Sequence, residues 1–102
     1  MTSIGFRRFD GKQFLVARGH QDDVGESIYC AGISALMCSL ACALADEAGA
    51  NLKVRKGDGL LAISAARGER LDAMFDVAVR GLNVMSGKWP DRITFKKAQG
   101  VT

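Results

Sequence analysis

The chain has 102 residues, of which 48% are hydrophobic and 25% are charged, and its formal net charge is +3. This length holds a single domain, here expected to span residues 1–102, and the balance of apolar and charged residues excludes an intrinsically disordered chain. The basic residues are scattered along the sequence, so no run of them is long enough to predict a nucleic-acid-binding arm.

The first half of the chain predicts a hairpin followed by a long helix. Residues 4–9 and 12–18 are strand-like, and the Asp10-Gly11 pair between them is typical of a two-residue turn. The second segment is apolar on both faces and therefore suits an inner strand. Residues 27–47 predict a helix with Ser27 as its N-cap. The buried stripe of this helix is expected to comprise Tyr29, Ile33, Leu36, Leu40 and Leu44.

The second half predicts another hairpin, a second helix and a last strand. Residues 51–65 read as two short strands around a glycine-rich turn. Residues 68–85 are amphipathic with helical spacing, and Gly87 and Pro90 are expected to end that helix. Residues 92–97 form the last strand. The order β-β-α-β-β-α-β predicts an α+β fold, with a mostly antiparallel sheet of about five strands and two helices packed on it.

The three cysteines, Cys30, Cys38 and Cys42, all fall on the first predicted helix. An odd number of thiols on one helix does not make a disulfide framework, so reduced thiols and a cytoplasmic location are expected. The uncharged segment 28–45 is long enough to span a membrane. Its small residues, and the lack of a flanking Lys or Arg cluster, favour a buried core helix instead.

The one histidine, His20, precedes the first cysteine, Cys30, by ten positions. Cys30 lies in the first turn of the predicted helix, where unpaired backbone N–H groups and the helix dipole favour a thiolate. His20 follows the second strand, and an imidazole within reach of the thiolate would complete a nucleophile–base pair. Taken alone, each residue is more typical of a structural role, Cys30 as a small core residue and His20 as a satisfied or surface histidine.

Three neighbours of this pair are candidates for supporting roles. Ser34 follows Cys30 by one helical turn, and its hydroxyl either bonds its own helix backbone or holds the imidazole. Asp22 or Asp23 could orient the imidazole, although loop carboxylates are usually only solvated. A zinc site is not expected, since Cys38 lies about 12 Å along the helix axis from Cys30.

Gly19-His20 and residues 25–36, which read Gly-Glu-Ser-Ile-Tyr-Cys-Ala-Gly-Ile-Ser-Ala-Leu, resemble the ribosomal-processing cysteine protease family, called Prp. The family pattern is a Gly-His, a loop, and then Gly-x-Asp-Ile-Val-Cys-Ala-Ala-Val-Ser-Ala-Leu. Gly81-Leu82 and residues 89–91, Trp-Pro-Asp, also stand where the family has comparable residues. The resemblance therefore covers almost the whole chain.

The resemblance implies a small α+β homodimer that acts as a Cys–His endopeptidase. Relatives remove a short N-terminal extension from a large-subunit ribosomal protein, or process phage capsid or scaffold proteins. Carried over, Cys30 is the nucleophile, His20 is the general base and Ser34 is the family serine. The family loop that covers the substrate site corresponds here to Gln21, Asp22, Asp23, Val24 and Gly25.

The chain departs from the family pattern at four points. Gln21 stands where the family has a small residue, Ser27 where it has Asp and Gly32 where it has Ala, and the loop between His20 and Cys30 is shorter. These differences bear on which substrate is cut. Ser27 keeps the ability to cap the helix but carries no charge.

A cysteine endopeptidase is therefore the predicted function, with a protein substrate and a second copy of the chain as expected partners. Neither a membrane nor a nucleic acid is expected as the direct substrate, and no cofactor is expected. Two alternatives stay open. One is a non-catalytic ribosome- or capsid-associated binding module of the same fold, and the other is a small RNA-binding α+β domain, which would bind RNA in a salt-dependent manner.

Overall fold

Seven elements make up residues 1–19 and 28–97, the parts of the chain that the structure, a computed structural model, describes. The five strands are β1 (Thr2–Phe9), β2 (Lys12–Arg18), β3 (Lys53–Gly57), β4 (Leu60–Ala66) and β5 (Ile93–Lys97). The two helices are α1 (Ile28–Ala45) and α2 (Glu69–Lys88). This is the predicted order of elements.

The strands form one sheet in the order β3-β4-β2-β1-β5. Neighbouring strands are antiparallel except β1 and β5, which are parallel, so the predicted α+β class with a mostly antiparallel sheet is confirmed. β2 lies at the centre, as its two-sided apolar pattern predicts, and its Leu15 and Ala17 are buried. Asp10 and Gly11 make the predicted hairpin turn, with φ of 51° and 73°.

Both helices pack on the same face of the sheet. Successive side chains of a strand point to opposite faces, and every second residue of the inner strands is buried. These buried residues are Thr2, Ile4, Phe6, Gln13, Leu15, Ala17, Ile63 and Ala65. The register sets them side by side across β1, β2 and β4. The single core therefore lies between this face and the helices.

The two helices approach each other closely where each has a glycine. A Cβ atom built on Gly32 of α1 would lie 2.8 Å from Cε of Met85, and one built on Gly81 of α2 would lie 3.0 Å from Cδ1 of Leu36. Leu36 is half-buried against α2 for this reason. The stripe predicted for α1 omitted Met37, which is fully buried.

The ends of both helices differ from the sequence predictions. α1 ends at Ala45, two residues earlier than expected, and α2 continues through Gly87 to Lys88. The prediction that Gly87 stops the helix is therefore wrong, because one helical glycine costs only about 1 kcal/mol. The stop comes from Pro90, whose ring disfavours helical geometry at Trp89, which has φ −126° and ψ 62°.

A hydrogen-bonded network fastens the start of α2 to the β1–β2 hairpin. The amide nitrogen of Gln13, which is fully buried, donates to the Ala66 carbonyl and to the Asp72 carboxylate, both at 2.9 Å. Its amide oxygen accepts from Nε of Arg8 at 2.9 Å. Hydrogen bonds from Arg67 hold the pKa of Asp72 below its ordinary value. Each buried polar group of Gln13 thus has a partner, as a stable core requires.

α1 is long and apolar enough to cross a membrane if length and composition alone are considered. The core helices of soluble proteins pass the same test. Four of its residues, Ile33, Met37, Leu40 and Leu44, are buried in the core described above. α1 therefore packs one side into the core, and its other side is exposed.

Candidate active site

Cys30 lies in the first turn of α1. It is the third residue of the helix, and its side chain is half-buried. The first backbone N–H groups of a helix have no acceptor within the helix, and together with the helix dipole they favour negative charge close to this turn. The described first turn contains no acidic side chain that would oppose a thiolate there. All three cysteines of the chain are reduced thiols, as predicted.

Two aromatic rings anchor the turn that carries Cys30. The ring of Tyr29 packs against the ring of Trp89, with centroids 6.2 Å apart. Trp89 follows the end of α2, and its backbone N–H donates to the Met85 carbonyl at 2.9 Å. Met85 in turn lies against Gly32, one turn beyond Tyr29. The first two turns of α1 are therefore positioned by the C-terminal end of α2.

Gly19, which ends the described part of the chain after β2, is held on two sides. Its backbone N–H donates to the carbonyl of Gly59 in the β3–β4 turn at 2.8 Å. Its φ is +75°, and a Cβ atom there would lie 2.5 Å from the carbonyl oxygen of Met1. Only glycine combines this conformation with this contact. The chain therefore leaves β2 toward residue 20 from a fixed point.

A cleft of about 190 Å³ separates α1 from the β3–β4 hairpin. It is lined by Ser34, Cys38, Lys56, Gly57, Gly59, Leu60 and Leu61. Ser34 lies one helical turn after Cys30, and Gly59 is the residue that binds Gly19. The β3–β4 turn is thus bonded to the end of β2 and also borders the cleft next to the second turn of α1.

Several of the predicted site residues lie outside the described part of the chain. These are His20, Gln21, Asp22, Asp23, Val24, Gly25 and Ser27. The pairing of His20 with Cys30, the covering role of residues 21–25 and the helix cap at Ser27 therefore stay predictions. Cys30 and Ser34 are the predicted residues whose surroundings are described.

Lys56 is a residue of this cleft that was not among the candidates predicted from the sequence. Lys56 lines the cleft together with Ser34 and Cys38, and it is exposed. The signal was present in the alternation of β3, where Lys56 follows Val54 on the side facing the helices and Arg55 points to the other side. The cleft therefore has one cationic residue among its lining residues, on the β3–β4 hairpin.

The described residues contain no group of three or more His, Cys, Asp or Glu side chains placed to hold a metal ion. The groups able to do chemistry at this end of the described structure are a thiol at a helix N-terminus, a serine hydroxyl and a lysine. A thiol in that position is suited to nucleophilic attack once a base removes its proton.

The whole fold is shared with solved structures of a protease. The essential ribosomal processing protease Prp from Staphylococcus aureus superposes with a TM-score of 0.81 in complex with a substrate peptide, at 18% identity. With a covalently linked product peptide the TM-score is 0.83, at 19% identity. Both matches cover 96% of this chain and 100% of the other. A Streptococcus mutans protein is similar too, with a TM-score of 0.75, 22% identity, and coverage of 98% of this chain and 96% of the other.

No family model matches the chain, and no curated protein sequence matches it significantly. At identities of 18–22% the likeness to the solved structures concerns the fold. It is nevertheless the fold of the family that the sequence motifs resemble, so the two observations agree.

Proposed function

We propose that the chain is a cysteine endopeptidase in which Cys30 is the nucleophile and His20 is the general base. The observation that carries the proposal is the position of Cys30 in the first turn of α1, one turn from a cleft, in a fold shared with a protease that binds a substrate peptide. Gly19, directly before His20, is fixed to the β3–β4 turn, which also borders the cleft.

In the proposed reaction His20 accepts the proton of the Cys30 thiol. The thiolate attacks the carbonyl carbon of the scissile peptide bond, and the carbonyl oxygen becomes an oxyanion. Backbone N–H groups of the first turn of α1 stabilise that oxyanion. His20 then donates its proton to the leaving amine as the C–N bond breaks.

Water completes the cycle by attacking the thioester formed with Cys30. His20 takes a proton from this water, the C–S bond breaks, and the thiolate leaves to accept a proton in turn. The reaction needs no cofactor. In this scheme Ser34 supports the base or the backbone below the thiol, Ser27 caps α1, and residues 21–25 cover the substrate.

For the substrate, we carry over the N-terminal extension of a large-subunit ribosomal protein, with a phage capsid or scaffold protein as the second choice. The Staphylococcus aureus protein of this fold is a ribosomal processing protease, which favours the ribosomal substrate.

A cytoplasmic location and a homodimer belong to the same proposal. Light scattering on the purified protein should give about 22 kDa, twice the chain mass of 10.9 kDa; a mass of one chain would contradict the dimer.

Digestion of a peptide library tests the proposed activity, because the library offers many cleavage motifs at once. The wild type should generate new peptide termini at a shared motif, and Cys30→Ala and His20→Ala should lose at least about 100-fold in rate, as expected when a nucleophile or a base is removed. Cys38→Ala is the matched control, because Cys38 lines the cleft but has no role in the reaction. Equal cleavage by Cys30→Ala and wild type would refute the proposal.

The alternative is a non-catalytic binding module with the same fold. The sequence pI of about 9.0 is the observation that favours it, because a basic protein suits an RNA-rich particle. In that case the digest yields no new termini with any variant.

A further inference from the structure

The face of the sheet opposite the helices, here named the outer face, has no described element packed on it. It consists of the odd-numbered residues of β1 and β3 and the even-numbered residues of β2, β4 and β5, which the strand register places side by side. The alternate residues face the core. The outer face is thus a second surface, on the side of the sheet opposite α1, and it meets the cleft at the β3–β4 turn, where Gly57 and Leu60 belong to both.

The outer face is uniformly basic. Its six cationic side chains are Arg7, Lys12, Arg18, Lys53, Arg55 and Lys96, all of them exposed. Within the described residues none of the six forms an ion pair, and no strand contains an Asp or a Glu. Two acidic residues border this surface: Asp10, in the β1–β2 turn, which also lines one of the grooves described below, and Asp58, in the β3–β4 turn. Six unpaired cations on one face of a small domain produce a strong positive potential.

An aromatic pair lies among these cations, at the end of the face that the β1–β2 hairpin forms. The rings of Phe9 and Phe14 stack with centroids 5.4 Å apart and planes 20° from parallel, and both are only half-buried. The guanidinium of Arg7 lies 4.7 Å from the centroid of the Phe9 ring. Aromatic rings that remain partly exposed beside cations are the elements on which unpaired nucleobases stack.

Two grooves cross the outer face, and Phe14 borders one of them. One, of about 540 Å³, is bordered by Lys12, Phe14 and Lys53. The other, of about 430 Å³, is bordered by Arg7, Val16 and Lys96, and Gly5 leaves its floor without a side chain. Each groove therefore combines apolar floor with cations at its rim. A single nucleic-acid strand carries bases and anionic phosphates in alternation, so its bases match the apolar floor and its phosphates match the cationic rim.

We propose that the outer face binds single-stranded RNA, with the six cations on phosphates and the Phe9–Phe14 pair stacking against bases. Binding of a single strand does not depend on the proposed protease function. The choice of RNA over DNA does rest on it, because the protease with this fold processes ribosomes. The protein would thereby hold its substrate particle by one surface and act with another.

Charge argues against a second copy of the chain as the occupant. Two outer faces in contact would bring six cations against six, with no described acidic side chain on either strand surface to compensate them. A duplex fits less well, because paired and stacked bases are not open to the phenylalanine rings. A single-stranded nucleic acid offers phosphates to the cations and unpaired bases to the phenylalanine rings.

Fluorescence anisotropy with a labelled 12-nucleotide RNA tests the proposal at several KCl concentrations. A dissociation constant in the micromolar range is expected at low salt. Each phosphate contact contributes about −0.7 to the slope of log affinity against log salt, so six contacts predict a slope near −4. The same RNA as a duplex should bind at least about fivefold more weakly, since its bases cannot stack on the protein.

Two kinds of variant separate the roles of charge and stacking. Lys53→Glu with Arg55→Glu, both exposed on the edge strand β3, should weaken binding at least about tenfold and flatten the slope by about 1.4. Phe14→Leu keeps an apolar side chain of similar size and should weaken binding about fivefold or more without changing the slope. Arg80→Glu with Lys88→Glu, exposed on α2, makes the same change of charge away from the outer face and should leave most of the binding intact.

Four results would overturn the proposal. The first is no binding at low salt, and the second is an equal loss in the β3 and α2 charge variants, which would mean unspecific attraction. The third is tighter binding to DNA than to RNA of the same sequence. The fourth is binding only to anionic lipid vesicles, or self-association that the β3 variant abolishes. Because the readout is RNA binding, failure of the peptide digest would not produce any of these results.

Discussion

The backbone N–H of Gly19 donates a hydrogen bond of 2.8 Å to the carbonyl oxygen of Gly59, which joins the end of β2 to the β3–β4 turn. That turn also borders the cleft beside Ser34. One short contact therefore fixes the end of the strand that leads to His20 to a turn that also borders the cleft beside α1. The proposed site depends on two backbone features as much as on its side chains: this contact and the N-terminus of α1.

Gly19→Ala should destabilise the protein by about 1–3 kcal/mol, the usual cost of a side chain in left-handed conformation. The φ of +75° and the 2.5 Å approach of its Cβ to the Met1 carbonyl both oppose the substitution. Urea unfolding measures the change. Gly87→Ala is the control, because nothing lies within 4 Å of a Cβ there and alanine in α2 should stabilise by up to about 1 kcal/mol. Equal stability of Gly19→Ala and wild type would contradict the role given to Gly19.

Trp89→Ala should loosen the turn that carries Cys30, because it removes the ring against which Tyr29 packs. We expect a loss of about 2–4 kcal/mol in the free energy of unfolding and slower alkylation of Cys30 in the folded protein. Trp89→Phe retains an aromatic partner for Tyr29, so it should recover most of the free energy of unfolding and most of the alkylation rate of Cys30. If Trp89→Ala left the rate at Cys30 unchanged, the anchor would have no part in positioning the thiol.

The two glycines at the helix crossing should respond differently to alanine. At Gly32 the atom in the way is Cε of Met85, the mobile end of a pliable side chain, so Gly32→Ala should be within about 1 kcal/mol of neutral. At Gly81 both methyl groups of Leu36 lie 3.0–3.1 Å away, so Gly81→Ala should cost about 1–3 kcal/mol. Thermal unfolding of the two variants, measured side by side, compares their losses of stability. A larger loss for Gly32→Ala than for Gly81→Ala would contradict the packing described.

Asp72 should make stability depend on pH in the acid range. Hydrogen bonds from Arg67 keep its pKa in the folded protein below the ordinary value, so the unfolded chain binds the proton more readily. Its contribution is complete above the ordinary carboxyl pKa of about 3.9 and is lost as the pH falls through the lower folded pKa. Asp72→Asn should destabilise at neutral pH and flatten this acid dependence. Asp58→Asn, in the exposed β3–β4 turn, should leave the acid dependence as steep as in the wild type.

Local patterns in the sequence were enough to predict the elements and their order. The Asp10-Gly11 turn, the two-sided apolar β2 and the helical spacing of Ile33, Leu40 and Leu44 each depend on neighbouring residues, and the structure agrees with all three. The end of α2 was misplaced because the geometry that Pro90 imposes on Trp89 outweighs the weak helix propensity of Gly87.

Contacts between distant residues could not be predicted from one sequence. The parallel pairing of β1 with β5 and the hydrogen bond between Gln13 and Asp72, 59 residues apart, leave no periodic signal. The same holds for the outer face. Its cations are scattered along the sequence, and only the strand register gathers them on one surface.

The most direct test of the proposed protease is the rate of iodoacetamide alkylation at each cysteine near neutral pH, resolved by mass spectrometry. Exposure alone predicts that Cys38 and Cys42, which are exposed, react faster than the half-buried Cys30. A thiolate at the start of α1 reverses that order, so Cys30 should react at least about tenfold faster than either, and His20→Ala should remove most of the difference. Slow and equal alkylation of all three thiols, unchanged by His20→Ala, would contradict the proposed nucleophile and its base.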